Sequence, residues 1–325
     1  MKIFVDELIK IIRKKETILC VGIDPQVRYI PEHILRQGEK EATNPSDPFE
    51  VTCRAFVIFF REIIEAVAPY AAAVKPNIAF FEAYKYWGIK TFEEVVKICR
   101  KENLLVIEDA KRCDGGDTAK AYAQGHLGLV EVWHPKESKV TKIRSLDVDA
   151  MTVMPWIGEA GINPFIEMVK EYGKGIFIVN KTSFKPNSAI EQLVTNNGLK
   201  IWEETAKLIK QWSYGCEGKL GINNVAVVMG ATYPEEAVRM RELLLNYLFL
   251  IPGYGAQGGG ADGAIKGIRG DGLGGIVNSS RSIDYAYLRQ FKCEPEEFAE
   301  AAGKAAEFAR DELNQSLKKE KKIPW

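Results

Sequence analysis

The chain has 325 residues, 46% hydrophobic and 27% charged, which is enough apolar material for a large core and ordinary for a globular enzyme. Lysine plus arginine equals aspartate plus glutamate at 44 each, so no global field favours nucleic acid or an anionic membrane, and any anionic ligand must be held by local groups. The sequence contains no apolar run of the roughly 18 residues that a membrane-spanning helix needs.

In chain order, Met1–Glu16 sets Ile3, Leu8, Ile11 and Ile12 at helical spacing among Asp6, Glu7 and Lys10. That reads as an amphipathic helix, not a signal peptide. The apolar run Ile18–Ile23 predicts a strand, and a long polar connection, Pro25–Pro48, follows it. Next come a helix over Phe49–Val67, a strand over Tyr70–Lys75, a helix over Phe92–Lys101 and a strand over Leu104–Asp109. A second long connection, Leu127–Leu146, precedes strands at Asp149–Val153 and Gly175–Val179, with a helix over Pro164–Tyr172 between them. Helices over Leu199–Trp212 and Pro234–Leu245 flank a strand at Val225–Met229. Strands at Leu248–Ile251 and Gly275–Asn278 and a charged helix over Glu294–Lys319 complete the series.

Strands alternating with helices imply a parallel sheet with helical crossovers. Eight such units closing on themselves make a (β/α)8 TIM barrel of the α/β class. An open doubly wound sheet is the other reading, but no G-x-G-x-x-G follows the first strand. Residues 1–325 are read as one barrel domain with an N-terminal helix and insertions near 25–48 and 127–146.

A barrel gathers its chemistry at the C-terminal ends of its strands. Asp24 ends the first strand, and Lys75 ends the second in Lys75-Pro76-Asn77. The third leads into Asp109-Ala110-Lys111-Arg112-Cys113-Asp114. Residues two apart share a face of a strand, so Asp109 and Lys111 are expected to project together, with Asp114 in the loop just beyond. Charges at the end of a buried strand are costly unless paired, so two lysines and two aspartates alternating around one small space point to chemistry. The plainer alternatives are an aspartate forming a turn before proline, a snorkelling lysine and a structural ion-pair network.

Further along, Lys181-Thr182-Ser183 follows the fifth strand and reads either as a polar turn or as a ligand contact. Val228–Pro234 reads as a strand-to-helix turn. The glycine-rich Pro252–Gly259 follows the seventh strand, and Asn278-Ser279-Ser280-Arg281 ends the eighth. Glycines let backbone N–H groups approach an anion, and arginine grips a phosphate bidentately. The six cysteines are scattered with no zinc spacing, which reads as free thiols in a reducing cytoplasm. Cys113 lies within the charged motif but has no histidine near it in sequence, so it reads as passive. The three histidines, His33, His126 and His134, do not cluster, and they support neither a metal site nor a Ser-His-Asp triad.

Lys75, Asp109-x-Lys111-x-x-Asp114, Gly-Ala-Gln257-Gly258-Gly and Ser-Ser-Arg281 together resemble the orotidine 5′-phosphate decarboxylase family, in particular its longer bacterial branch. The resemblance runs in order from Asp24 to Arg281. It implies conversion of orotidine 5′-monophosphate to uridine 5′-monophosphate and CO2, the last step of de novo UMP synthesis, without cofactor or metal. It implies Lys111 as proton donor to C6, Asp109 and Asp114 as the paired acids and Lys75 completing the charge array. It assigns Asp24 to the ribose, Ser183 or Thr182 to the pyrimidine, Gln257, Gly258 and Arg281 to the phosphate, and Thr118 to substrate binding. Asp114 is expected to act across the interface of a homodimer, in a cytoplasmic protein that engages neither membrane nor nucleic acid.

The chain departs from the family at Gly115, where isoleucine is usual, and at Met154, where asparagine is common. Consecutive glycines at 115 and 116 are expected to loosen the loop that holds Asp114. Two other readings share these features. One is a magnesium-dependent sugar-phosphate lyase or synthase on the same scaffold. The other is a nucleotide-binding protein without turnover.

Overall fold

Short apolar segments that can bury both faces become central parallel strands, and the computed structural model, which describes residues 1–184, 189–255 and 259–325, contains eight of them. The first three are β1 (Leu19–Ile23), β2 (Ala73–Pro76) and β3 (Leu105–Arg112). β4 (Leu129–His134) and β5 (Lys139–Arg144) form a separate antiparallel ribbon within the second long connection. The series resumes with β6 (Ala150–Val153), β7 (Gly175–Lys181), β8 (Asn223–Met229), β9 (Tyr247–Ile251) and β10 (Gly275–Ser279). The eight close in the order β1-β10-β9-β8-β7-β6-β3-β2, a TIM barrel, with β1 hydrogen-bonded to both β2 and β10. Every strand expected from the sequence is present, with ends shifted by up to three residues.

Helix boundaries moved for local reasons. Pro48 opens the helix Pro48–Val67 at a position where its missing N–H costs nothing. Asp47 caps that helix by accepting from the Phe49 and Glu50 N–H groups, and its other oxygen accepts from Trp87 Nε1 at 2.9 Å. The helix read as starting at Pro164 begins at Glu159 and carries the proline inside it. Pro164 removes one backbone hydrogen bond there, while buried Ile162, Phe165 and Ile166 anchor the helix to the core. The first connection contains the helix Glu32–Glu41, whose Gly38 lets it lie against the helix Pro48–Val67. A Cβ at Gly38 would stand 2.7 Å from the Ala55 nitrogen.

The N-terminal helix Phe4–Lys15 closes the end of the barrel opposite the chemistry. Phe4 N–H donates to the Gly173 carbonyl, and Val5 N–H to Asn224 Oδ1, both beside the starts of β7 and β8. The Phe4 ring meets Phe177 edge-on at 6.0 Å, and a Cβ at Gly175 would lie 2.3 Å from that ring. Phe4 is buried, so Phe4→Ala is expected to cost about 3 kcal/mol by lost transfer and cavity energy. An unchanged urea midpoint would show that the helix is not a structural plug.

Candidate active site

The site is built on the end of β3, where the strand does not continue regularly. Glu108 pairs with Met151 and Arg112 with Val153, so four residues of β3 advance against two of β6. Thr152 on β6 pins this bulge, because its hydroxyl oxygen accepts both the Ala110 N–H at 3.0 Å and the Lys111 N–H at 2.9 Å. The same hydroxyl donates to Asp109 Oδ1 at 3.0 Å. Lys111 takes a left-handed conformation, φ 47°, which a β-substituted residue adopts only under constraint. Asp109 and Lys111 therefore do meet, but through a pinned bulge and not through regular strand alternation.

Asp109 is the shared partner of two ammonium groups. Lys75 Nζ donates to its Oδ2 at 2.9 Å, and Lys111 Nζ pairs with its Oδ1. Burying each ion costs several kcal/mol, while one opposite pair about 4 Å apart returns roughly 4 kcal/mol at an effective dielectric near 20. The buried Lys75–Asp109 pair would therefore not recover its own cost, and Lys111, which stays half-exposed and gives up less hydration, supplies the remainder. Burial alone would raise the Asp109 pKa, but Lys75 and Lys111 outweigh it and hold the carboxyl well below the usual range. Burial would likewise favour a neutral Lys75, yet Asp109 and Asp24 reverse this and keep it protonated above the ordinary lysine value.

Asp24, at the end of β1, faces Lys75 from the other side. Burial raises its pKa against the pull of Lys75, and its Oδ1 is buried without a hydrogen-bond partner. Asn278 Oδ1 on the neighbouring β10 is also buried and unpartnered. Two orphaned acceptors on adjacent strand ends are suited to ligand hydroxyl donors. Arg281 begins the short helix after β10, is exposed, and has no ion-pair partner among the described residues. Between β9 and that helix, the limbs of the glycine loop are tied by Gly255 N–H to the Gly259 carbonyl and Gly259 N–H to the Gly253 carbonyl, each 3.0 Å. Gly253 and Gly255 have φ of 101° and 75°, conformations that side chains resist. Gln257 and Gly258 lie outside the described residues.

A family model for orotidine 5′-phosphate decarboxylase / HUMPS proteins matches residues 17–287, a span that takes in all of these strand ends. The chain belongs to this family. It is 36% identical over 284 residues to the orotidine 5′-phosphate decarboxylase of Caldicellulosiruptor bescii, across 87% of this chain and 90% of that one. It is 35% identical over 323 residues to the Rhodopirellula baltica orotidine 5′-phosphate decarboxylase, across 98% of this chain and 100% of that one. The solved OMP decarboxylase of Leishmania donovani superposes with a TM-score of 0.71 at 27% identity, over 97% of this chain and 99% of that chain.

The family's other motif positions fall differently. Asp114 is exposed, and its Oδ1 accepts its neighbour Gly115 N–H at 2.8 Å. It does not join the Lys75–Asp109–Lys111 group, so the four charges do not alternate within one chain. Thr118 is exposed on the first turn of the helix Gly116–Leu127. The two glycines after Asp114 play different parts. Gly116 has φ 56°, which a glycine supplies without strain. A Cβ at Gly115 would come within 3.2 Å of Ile157 Cγ2, so Ile157 already occupies the space beside this position.

On the β7 side, Ser183 is buried against the turn after β8, where Thr232 Oγ1 donates to its carbonyl at 2.9 Å. Thr182 Oγ1 is buried without a partner and lines a cavity of about 420 Å³ walled by Met154, Trp156, Trp202 and Trp212. Lys181 is fully buried and paired with Glu191 at 2.7 Å, a structural role. His126 is structural too, bonded at 2.7 Å to buried Glu108 on the outer face of β3. Cys113 is exposed, and all six cysteines are free. Among the described residues, no group of three or more His, Cys, Asp or Glu side chains is placed to hold a metal, and no helix is long and apolar enough to cross a membrane.

Sequence reasoning overlooked Thr152, Asn278 and Asp284. Thr152 is the polar residue of an otherwise apolar strand, a signal that was available, and Asn278 was read only as part of the end of the eighth strand. Asp284 is fully buried, and its Oδ2 accepts the Asp24 N–H at 3.3 Å. Burial and the nearby Asp24 carboxylate raise its pKa well above the ordinary value, which favours the neutral acid in the fold. As pH rises past about 4, the unfolded chain releases this proton while the folded one keeps it, so stability falls with pH. Asp284→Asn should therefore be more stable than the parent at pH 7, with the difference vanishing below about pH 4. Equal urea midpoints at pH 7 would mean that Asp284 is ionised in the fold.

Proposed function

We propose that this protein decarboxylates orotidine 5′-monophosphate to uridine 5′-monophosphate, the closing step of de novo UMP synthesis, in the cytoplasm and as a homodimer. The observation that carries the reading is the Lys75–Asp109–Lys111 group at the C-terminal mouth of a barrel whose curated relatives bear that name. The substrate carboxylate leaves as CO2, and its bonding electron pair stays on C6. The Lys111 ammonium donates a proton to that carbon and is reprotonated from water. Asp109 keeps the Lys111 ammonium aimed, and Lys75 balances Asp109 from the far side. Asp24 meets a ribose hydroxyl, Ser183 or Thr182 the pyrimidine, and Arg281 with the 252–259 loop the phosphate, Gln257 and Gly258 included. Thr118 borders the substrate site.

A preorganised array favours charge developing in the transition state without reorganisation at the moment of reaction. The largest enzymatic accelerations correspond to about 23 kcal/mol or more. Three paired side chains do not supply that alone, so binding energy from the remote phosphate contributes by ordering the site. The metal-dependent sugar-phosphate reading fits the residues less well, because the Asp109 carboxylate is already taken by two ammonium groups and a hydroxyl. The binding-only reading rested on Gly115 and Met154, neither of which removes a charge.

Loss of orotidine 5′-monophosphate absorbance, with and without EDTA, tests the reaction. Rapid conversion indifferent to the chelator is expected, and conversion abolished by EDTA would transfer the protein to the metal-dependent reading. Lys111→Ala should bind uridine 5′-monophosphate but show no measurable turnover; near-normal turnover would refute its role as acid. If Asp114 serves the partner's site, mixing the inactive variants Lys111→Ala and Asp114→Ala should restore roughly a quarter of the parent activity, since half the dimers are mixed and each holds one intact site. No recovery after verified subunit exchange would place Asp114 outside the shared site.

A further inference from the structure

Arg281 opens a helix of four residues, Arg281–Asp284, whose last residue contacts the loop carrying Asp24. Asp284 Oδ2 accepts the Asp24 N–H at 3.3 Å. The Tyr285 hydroxyl donates to the Asp24 carbonyl at 2.8 Å and accepts the Gln26 N–H at 2.9 Å. Three hydrogen bonds thus tie residues 24–26 to the segment that starts at Arg281, and none of them uses the Asp24 carboxylate. The connection has little slack. Ile283 and Asp284 N–H groups both donate to the Ser280 carbonyl, at 2.8 and 3.0 Å. A Cβ on Gly22 of β1 would stand 1.8 Å from Ser280 Oγ. The Tyr285 ring is fully buried between Tyr29 at 4.9 Å and Phe59 at 6.0 Å.

Filling space does not account for these two residues. Phenylalanine would pack as well as Tyr285, yet the hydroxyl makes two bonds to one loop. An acid buried beside another acid, with one oxygen unpartnered, is expensive compared with an apolar side chain of similar size. We propose that Asp284 and Tyr285 are positioning residues that couple an anion held at Arg281 to the placement of Asp24, so that the phosphate end and the ribose end of the site are set together. This rests on the assignment of Arg281 to the substrate phosphate. It adds a specificity consequence: a ligand lacking the phosphate meets an Asp24 loop that is less well placed, beyond losing the arginine contact itself.

The test is a double-mutant cycle on kcat/KM for orotidine 5′-monophosphate with Arg281→Ala, Tyr285→Phe and the combined variant. Tyr285→Phe keeps the ring and its packing. Coupling predicts that Tyr285→Phe lowers kcat/KM about tenfold or more when Arg281 is present, and less than about threefold when it is alanine. Equal losses in both backgrounds would overturn the proposal, since Tyr285 would then hold the loop regardless of the anion. Arg281→Ala with unchanged kcat/KM would instead remove the phosphate assignment and the coupling with it, a pattern distinct from additivity. Asp284 supplies a second arm. Asp284→Ala should follow Tyr285→Phe through the same cycle, and Asp284→Asn, which keeps an acceptor for the Asp24 N–H, should recover most of the loss. Failure of asparagine to recover activity would overturn the part given to Asp284.

Discussion

The Asp109 carboxylate, held between Lys75 and Lys111, is the interaction on which the rest of the site depends. It follows the apolar Leu105-Val106-Ile107 and the buried, His126-bonded Glu108 on β3, in the barrel wall where an unpaired charge would be prohibitively costly. Each of its two cations comes from a strand end, and each neutralises the cost that the other leaves. Thr152 then fixes where this exchange happens, by holding the bulge that turns Lys111 back toward Asp109. Remove that hydroxyl and the strand has no local reason to leave regular pairing at that point.

The barrel translates these strand-end charges into a graded site. From β3 toward β10 the polar groups change from paired ions, through Asp24 with one open acceptor, to Arg281 with no acidic partner among the described residues. Tightly satisfied groups suit chemistry that needs a preorganised field, and open groups suit a ligand that brings its own donors or charge. The segment Arg281–Tyr285 joins the open end to the Asp24 loop by hydrogen bonds from the Asp284 and Tyr285 side chains to the loop backbone, so the gradient is also a mechanical connection.

Much of this was legible in the chain. Eight apolar runs between amphipathic stretches gave the barrel, because strands buried on both faces have to be apolar throughout. The spacing of Lys75, Asp109 and Lys111 gave the charge group, although the geometric argument for it was incomplete: the strand was taken as regular and is bulged. The double glycine after Asp114 was read as looseness. One of the two instead answers a left-handed turn, and the other sits beside Ile157, a residue 42 positions further along that a one-dimensional reading could not place there. The β4–β5 ribbon was missed because Glu131 interrupts the apolar residues of β4 and β5 alternates with lysine, threonine and arginine, so neither strand offers the continuous apolar run by which the others were found.

By itself the sequence determined the element order, the closure of the barrel and the residue types at the strand ends, since these follow from local apolar periodicity and from the cost of burying charge. Only the tertiary structure decided which of those residues share a partner. That Thr152 would bond to Asp109, that Asp284 would be buried against the Asp24 backbone, and that Tyr285 would bridge the loop after β1 depend on the parallel closure of β10 onto β1 and of β6 onto β3. These contacts join residues between 43 and 261 positions apart, and no local pattern encodes a partner at that distance.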